Sequence, residues 1–155
     1  MIRFNGTAEL GIANTLAVAV SPRAQYGFNK LLSFEQFTAG NYTIGRGYDP
    51  STLTGDSGAG VAVELRGPRA TPFSRIDVQL QPYLFGDAAW TWTRGGFTDP
   101  KHLMSAGGGF RGIYSDRISI DALFAVPLER TGMIDRHRGD PRFLLTLTTR
   151  LLPWS

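Results

Sequence analysis

Hydrophobic and polar residues alternate along most of the second half of the chain, which is the pattern of β-strands with two different faces. Between Ile76 and Thr93 one face is almost entirely apolar, while the other includes Asp77, Gln79 and Asp87. Further alternating segments lie at 59–66, 103–114, 117–126 and 142–151, with weaker ones at 3–10 and 16–25. The pattern therefore predicts an all-β protein with about seven antiparallel strands.

The predicted connections alternate in length. Long ones at about 26–58, 94–102 and 128–141 alternate with shorter ones at 67–75 and at Ser115-Asp116. Outer-membrane β-barrels combine long loops at one end with short turns at the other, and about nine to eleven residues suffice for a tilted strand to cross the hydrocarbon. Trp90 and Trp92 end their apolar face, where an interfacial aromatic girdle is expected. An antiparallel transmembrane barrel is favoured, with a soluble β-sandwich or ligand-binding barrel as the alternative.

The amino-acid composition restricts the kinds of site that the protein can contain. The 155 residues carry a net charge of +3 spread along the chain, include 19 glycines, and lack cysteine. No thiolate metal or redox site can therefore form, and His102 and His137 are too isolated to suggest a metal centre. No cofactor or metal is expected, and without a basic and aromatic platform no nucleic-acid partner is expected either.

Two short motifs resemble catalytic or nucleotide-binding signatures. Gly55-Asp56-Ser57-Gly58 matches the tetrapeptide around a chymotrypsin-like nucleophile, but both histidines follow it, whereas the base precedes the nucleophile in that family. The glycines at 107–112 satisfy G-x-G-x-x-G, but a strand follows them where a phosphate site needs a helix. These glycines are expected to admit a lumen plug or a neighbouring strand. The chain is not expected to be an enzyme.

A family resemblance rests on the long connection. Its segment Tyr42-Thr43-Ile44-Gly45-Arg46-Gly47-Tyr48-Asp49-Pro50, in a stretch starting at Leu31, resembles the sixth extracellular loop of the two-partner secretion (TpsB) transporters of the haemolysin secretion/activation type. The family signature is V/I-R-G-F/Y, which Arg46, Gly47 and Tyr48 match, although Gly45 stands where an aliphatic residue is usual. Phe85-Gly86-Asp87 resembles the motif of the following strand. The resemblance extends from about Leu31 to the C-terminus.

This resemblance implies a specific contact. In the family, the strand acid faces the lumen and receives the arginine of a loop that folds back into the barrel. Asp87 lies on the polar face by alternation, independently of the resemblance. A lone charge in a narrow lumen is costly, and a charge-assisted Arg46–Asp87 bond would offset that cost. Tyr48 and Phe85 would pack around the pair. Without the resemblance, a solvated Arg46 at a loop tip would be the simpler interpretation.

The resemblance also implies a fold and a function. The family has a sixteen-strand barrel preceded by periplasmic POTRA domains, so residues 1–155 are expected to be the C-terminal part of the barrel, without the POTRA domains and N-terminal strands. The implied function is type V secretion of a large exoprotein, of haemolysin or adhesin type, across a Gram-negative outer membrane without hydrolysis. An outer-membrane assembly factor of the same superfamily is the alternative.

The implied partners are the exoprotein client, outer-membrane lipid and the barrel-assembly machinery. The basic connection is interpreted as a solvated outer loop, with contact to lipopolysaccharide phosphates as the alternative; its basic residues are Arg130, Arg136, His137, Arg138 and Arg142.

Overall fold

The computed structural model describes residues 1–40, 43–72, 77–95, 101–114, 117–129 and 140–150. Ten strands lie in these residues: β1 Ile2–Asn5, β2 Ala8–Ala13, β3 Leu16–Tyr26, β4 Phe37–Ala39, β5 Leu53–Gly55, β6 Ser57–Arg66, β7 Val78–Trp92, β8 Lys101–Tyr114, β9 Ile118–Pro127 and β10 Arg142–Thr149. The prediction of an all-β antiparallel fold is confirmed. None of the described residues belongs to a helix that could cross a membrane.

One sheet contains every strand except β4 and β5, in the order β1/β2, β3, β6, β7, β8, β9, β10. The pairs Asn5↔Arg23 and Ala8↔Val20 keep one register, so β1 and β2 form a single line interrupted opposite Pro22. Proline has no N–H to give to the ladder, although the Pro22 carbonyl still accepts the Gly6 N–H at 3.0 Å. The sheet thus has seven strand positions, as the alternation predicts.

The two faces of the sheet differ in polarity and exposure. We call the face against which residues 27–56 pack the inner face, and the opposite one the outer face. On β7 the odd-numbered residues from Tyr83 to Thr91 point to the inner face and are buried. The outer face exposes large apolar side chains: Ile2, Phe4, Leu10, Ile12, Leu16, Val63, Leu65, Leu84, Phe110, Ile120, Phe124, Phe143, Leu145 and Leu147. A soluble sandwich would bury these stripes against a second sheet, yet Leu84 is 63% exposed, so the sandwich alternative is not supported.

The predicted connections are partly described. The long one spans residues 27–56 between β3 and β6 and carries the β4–β5 hairpin, which the alternation did not predict. Lys101 and His102, predicted to lie in or at the end of a loop, belong to β8 because they pair with β7. The Ser115-Asp116 turn, the start of the predicted strand at Ile76, and the basic residues of 130–139 lie outside the described residues.

Candidate functional site

The connection 27–56 is called the inward loop here, and its described residues, 27–40 and 43–56, pack on the inner face of the sheet. Phe37, Ala39, Ile44, Tyr48 and Leu53 of this loop form one apolar cluster with Ala62, Ala89 and Leu103 of β6, β7 and β8. Phe37, Ala89 and Leu103 are fully buried there. The loop therefore docks by burying apolar surface, which is a general source of stability for a packed segment.

Glycines on the inner face of β6 make room for the loop. A Cβ at Gly60 would lie 3.1 Å from Cγ2 of Ile44, and a Cβ at Gly58 would collide with the ring of Phe37. These contacts are closer than a side chain permits without displacement of the loop. Glycine at both positions thus allows the loop backbone and its apolar side chains to approach the strand.

Gly45 is the position where this sequence departs from the family signature. Its φ of +83° lies in the left-handed region that favours glycine. A Cβ at this position would lie 2.7 Å from Cδ1 of Leu103. The conformation of the loop tip and its packing against β8 both require glycine here, which gives the departure a structural reason.

Arg46 and Asp87 meet directly, across 41 residues of sequence. The guanidinium Nη2 donates to Oδ1 of Asp87 at 2.8 Å, and Nε donates to Oδ2 at 3.1 Å. The Arg46 backbone N–H donates to the same Oδ2 at 3.0 Å. Both residues are 4% exposed, so the pair is a buried, bidentate ion pair.

Asp87 also accepts donors other than Arg46. The Gly45 N–H lies 3.2 Å from Oδ2, and the Ser105 hydroxyl of β8 donates to that oxygen at 3.3 Å. The carboxylate thus holds the backbone of the loop tip as well as its side chain.

Glu64 is a second acid partner of Arg46 that the sequence analysis missed. Arg46 Nη1 donates to Oε1 of Glu64 at 2.7 Å. Glu64 lies on the inner face of β6 and also pairs with Arg66 at 2.9 Å and with Arg111 at 3.5 Å. Alternation places Glu64 on the polar face, but no local signal shows which arginine it meets.

The charges of this site form a continuous network across the inner face. From Glu64 it continues through Arg66 to Glu9 on β2, and through Arg111 to Asp121 on β9. Burial lowers the pKa of the Arg46 guanidinium, but its bonds to Asp87 and Glu64 outweigh burial and raise that pKa. Arg46 therefore stays charged, and several of its neighbours are charges of opposite sign.

Phe85 and Tyr48 have different surroundings. The Phe85 ring lies under the Arg46 guanidinium, with 3.7 Å between Cζ and the ring centroid, in a cation–π arrangement. Tyr48 lies in the apolar cluster, and its hydroxyl bonds to the backbone of Met104 and Glu129. Burial raises the pKa of the Tyr48 phenol, so the hydroxyl stays protonated.

Trp90 and Trp92 lie at the end of β7 that leads into the connection to β8. Trp92 is 46% exposed and Trp90 is half-buried. The even positions of β7 point to the outer face, so both indoles lie away from the charged network. An interfacial role for them stays a prediction.

Asp56 is a further buried acid, to which the sequence analysis assigned no role. It is fully buried, and its carboxylate accepts the N–H groups of Leu31 and Arg94, each at 2.8 Å. Gln36 donates to it at 3.3 Å. Burial raises the pKa of Asp56, but these bonds, led by those from Leu31 and Arg94, outweigh burial and lower it. Asp56 thus ties the start and the end of the inward loop to the connection after β7.

The glycines of β8 accommodate aromatic side chains. Gly107 pairs with Phe85 and Gly109 with Tyr83, and a Cβ at Gly109 would lie 2.9 Å from Cζ of Tyr83. The sequence analysis expects these glycines to permit close approach of a neighbouring element. In the structure, aromatic side chains of the neighbouring strand β7 lie close to them. Among the described residues, no group of three or more acidic or histidine side chains could hold a metal ion.

A cavity of about 740 Å³ lies on the inner face, beside Arg46. Charged residues line it, including Glu64, Arg66, Arg111, Asp121 and Arg150. These side chains present a charged surface beside Arg46.

The family model described as "Haemolysin secretion/activation protein ShlB/FhaC/HecB" matches residues 2–112. The chain belongs to this family. The match begins earlier than the expected Leu31 and ends within β8, and it includes every site residue predicted from the sequence. No curated protein sequence matches the chain.

Membership of the ShlB/FhaC/HecB family places the chain among Gram-negative outer-membrane transporters of two-partner secretion, whose partner is a secreted exoprotein. The exposed apolar outer face is the surface that such a protein turns to the lipid hydrocarbon. The inner face carries the loop and the charged network, which are screened from lipid by the sheet.

Proposed function

We propose that this chain forms part of the wall of a pore that secretes a large exoprotein of haemolysin or adhesin type, without hydrolysis. The inward loop lies on the inner face of that wall, and the Arg46–Asp87 pair holds it in a transport-competent position. The observation that carries this proposal is the buried pair itself, with both guanidinium–carboxylate bonds within 3.1 Å.

The surroundings of the pair support a positional role. The loop tip has three kinds of attachment: the ion pair, the bond to Glu64, and the apolar cluster around Phe37. A buried charge without its partner is strongly unfavourable, so the tip is stable only where both carboxylates reach it. Arg46 thereby couples the loop position to two adjacent strands, β6 and β7.

Arg46→Ala in the full-length transporter tests this role. We expect secretion of the client to be lost while the barrel still assembles, which heat-modifiable migration of the barrel would show. The matched control is Arg69→Ala, because Arg69 is exposed in the short connection between β6 and β7. Normal secretion by the Arg46 variant would refute the assigned role.

The same experiment separates the alternative of an assembly factor. If the protein is an assembly factor, loss of Arg46 should impair the insertion of other outer-membrane barrels and should affect no specific client. Contact with lipopolysaccharide through the basic connection, and insertion by the barrel-assembly machinery, stay predictions.

A further inference from the structure

The two residues that follow Gly47 in the inward loop reach the connection between β9 and β10. The Tyr48 hydroxyl lies 2.8 Å from the carbonyl oxygen of Met104 and 3.0 Å from that of Glu129, and it accepts the Glu129 N–H at 2.9 Å. Glu129 lies two residues beyond the end of β9. One side chain of the loop is therefore bonded to the start of this connection.

The next loop residue is bonded to the other end of the same connection. Oδ1 of Asp49 lies 2.8 Å from Nη2 of Arg142, the first residue of β10. The Asp49 side chain is 82% exposed, so this ion pair alone contributes little. Together with the Tyr48 bonds, it ties both ends of the connection to one short stretch of the loop.

The two ends of the connection differ in packing. Gly47 packs closely against the end of β9, since a Cβ there would lie 2.8 Å from the Pro127 nitrogen, whereas the β10 end is loosely packed. A cavity of about 410 Å³ separates Gly47 and Thr52 of the loop from Pro141 and Phe143 at the start of β10. Close packing normally fixes the relative position of two segments, and across this cavity the Asp49–Arg142 pair joins them instead. The position of the β10 end therefore depends on where Tyr48 and Asp49 are held.

We propose that Tyr48 and Asp49 are positioning residues that couple the inward loop to both ends of the β9–β10 connection. When Arg46 leaves Asp87, the same movement withdraws Tyr48 from Glu129 and Asp49 from Arg142, and both ends are released. This inference rests on the proposed function in one respect, namely that the inward loop moves during transport.

Spin labels on single cysteines test the coupling in the full-length transporter, without client. Residues 1–155 contain no cysteine, and any cysteine elsewhere in the transporter is replaced by serine. Glu129→Cys reports one end and Asp140→Cys the other, and neither change removes a bond made by Tyr48 or Asp49. The measurement is the ratio of mobile to immobile label in the EPR spectrum.

Tyr48→Phe should raise this ratio at position 129 about tenfold, since the hydroxyl bonds lost are together worth roughly 1.4 kcal/mol. Asp49→Asn should raise it at position 140 by less, at most roughly fivefold. Tyr26→Phe is the matched control, because the Tyr26 hydroxyl bonds to Arg94, away from this connection. It should change neither ratio.

Arg46→Ala supplies the decisive comparison. It should raise the ratio at both positions, but it should add nothing when Tyr48→Phe and Asp49→Asn are already present. Equal increments with and without these two changes would overturn the coupling, as would an unchanged ratio in Arg46→Ala. Secretion is measured in the same variants: normal secretion with raised mobility would refute the transport role of Arg46 and leave the coupling standing.

Discussion

Neutralising either partner of the Arg46–Asp87 pair should undock the inward loop. Removing one member of a buried ion pair costs about 3–5 kcal/mol. Here each partner keeps other contacts, Arg46 with Glu64 and Asp87 with the Gly45 N–H and Ser105, which favours the lower end of that range. We therefore expect Arg46→Gln and Asp87→Asn each to weaken docking by about 3 kcal/mol. The double variant should lose about 2 kcal/mol less than the sum, because the two changes remove one shared interaction.

A cysteine beneath the loop can measure this docking. Ala89 is 0% exposed on the inner face of β7, under the apolar cluster, and Ala89→Cys introduces the only thiol of the chain. Its labelling by a maleimide requires the loop to undock, so a loss of about 3 kcal/mol should accelerate labelling roughly hundredfold. Arg69→Gln is the exposed control. An acceleration below about threefold in both single variants, or strict additivity in the double variant, would refute the reasoning.

Exchanging the two charges should not restore docking. Asp87 accepts the backbone N–H groups of Gly45 and Arg46, and a guanidinium at position 87 could accept neither. An aspartate at position 46 would also face Glu64, where like charges repel. The same assay tests this double variant, Arg46→Asp with Asp87→Arg. We expect its Ala89→Cys thiol to be labelled as fast as in whichever of the two single exchanges is labelled faster.

Two further variants test the support of the loop. Gly60→Val should weaken docking by about 1–3 kcal/mol, because its side chain would displace Ile44, and it should therefore accelerate labelling of Ala89→Cys. Gly86→Val is the control, since a Cβ at Gly86 has no atom within 4 Å, and it should not change the labelling rate. Asp56→Asn should cost about 2 kcal/mol at neutral pH, seen as faster proteolysis of the loop, because it replaces an acceptor of two backbone N–H groups. The bonds from Leu31 and Arg94 hold the pKa of Asp56 below its usual range, so its contribution to docking is present at neutral pH and is lost as the pH falls through the lowered pKa. The difference between Asp56→Asn and wild type in the rate of pepsin cleavage should shrink as the pH falls through that pKa. A difference that does not change with pH would contradict this role of Asp56.

The strands and their faces were determined locally. A strand turns each side chain to the opposite face from its neighbour, so alternation placed Asp87 on the inner face and Leu84 on the outer face before any contact was known. The seven strand positions follow from the same period. The interruption opposite Pro22 was not predicted, because it depends on which residue of β1 or β2 stands across from that proline.

The contacts of the loop required the tertiary structure. The motif predicted that Arg46 meets Asp87, but no partner could be predicted for Glu64 or Asp56. Glu64 lies 18 residues from Arg46 and 47 from Arg111, and Asp56 lies 25 and 38 residues from Leu31 and Arg94. Sequence separation says nothing about which of these residues the folded sheet brings together. The need for glycine at position 45 likewise appears only once Leu103 is placed beside it.

Sequence by itself therefore determined that this chain is an antiparallel sheet with an apolar outer face and a charged inner face, because period-two alternation is a local property of the backbone. Tertiary structure alone decided how the inward loop is held, at Glu64, Asp56 and Tyr48. Those contacts join side chains whose proximity arises from strand register and loop packing, which no short stretch of sequence specifies.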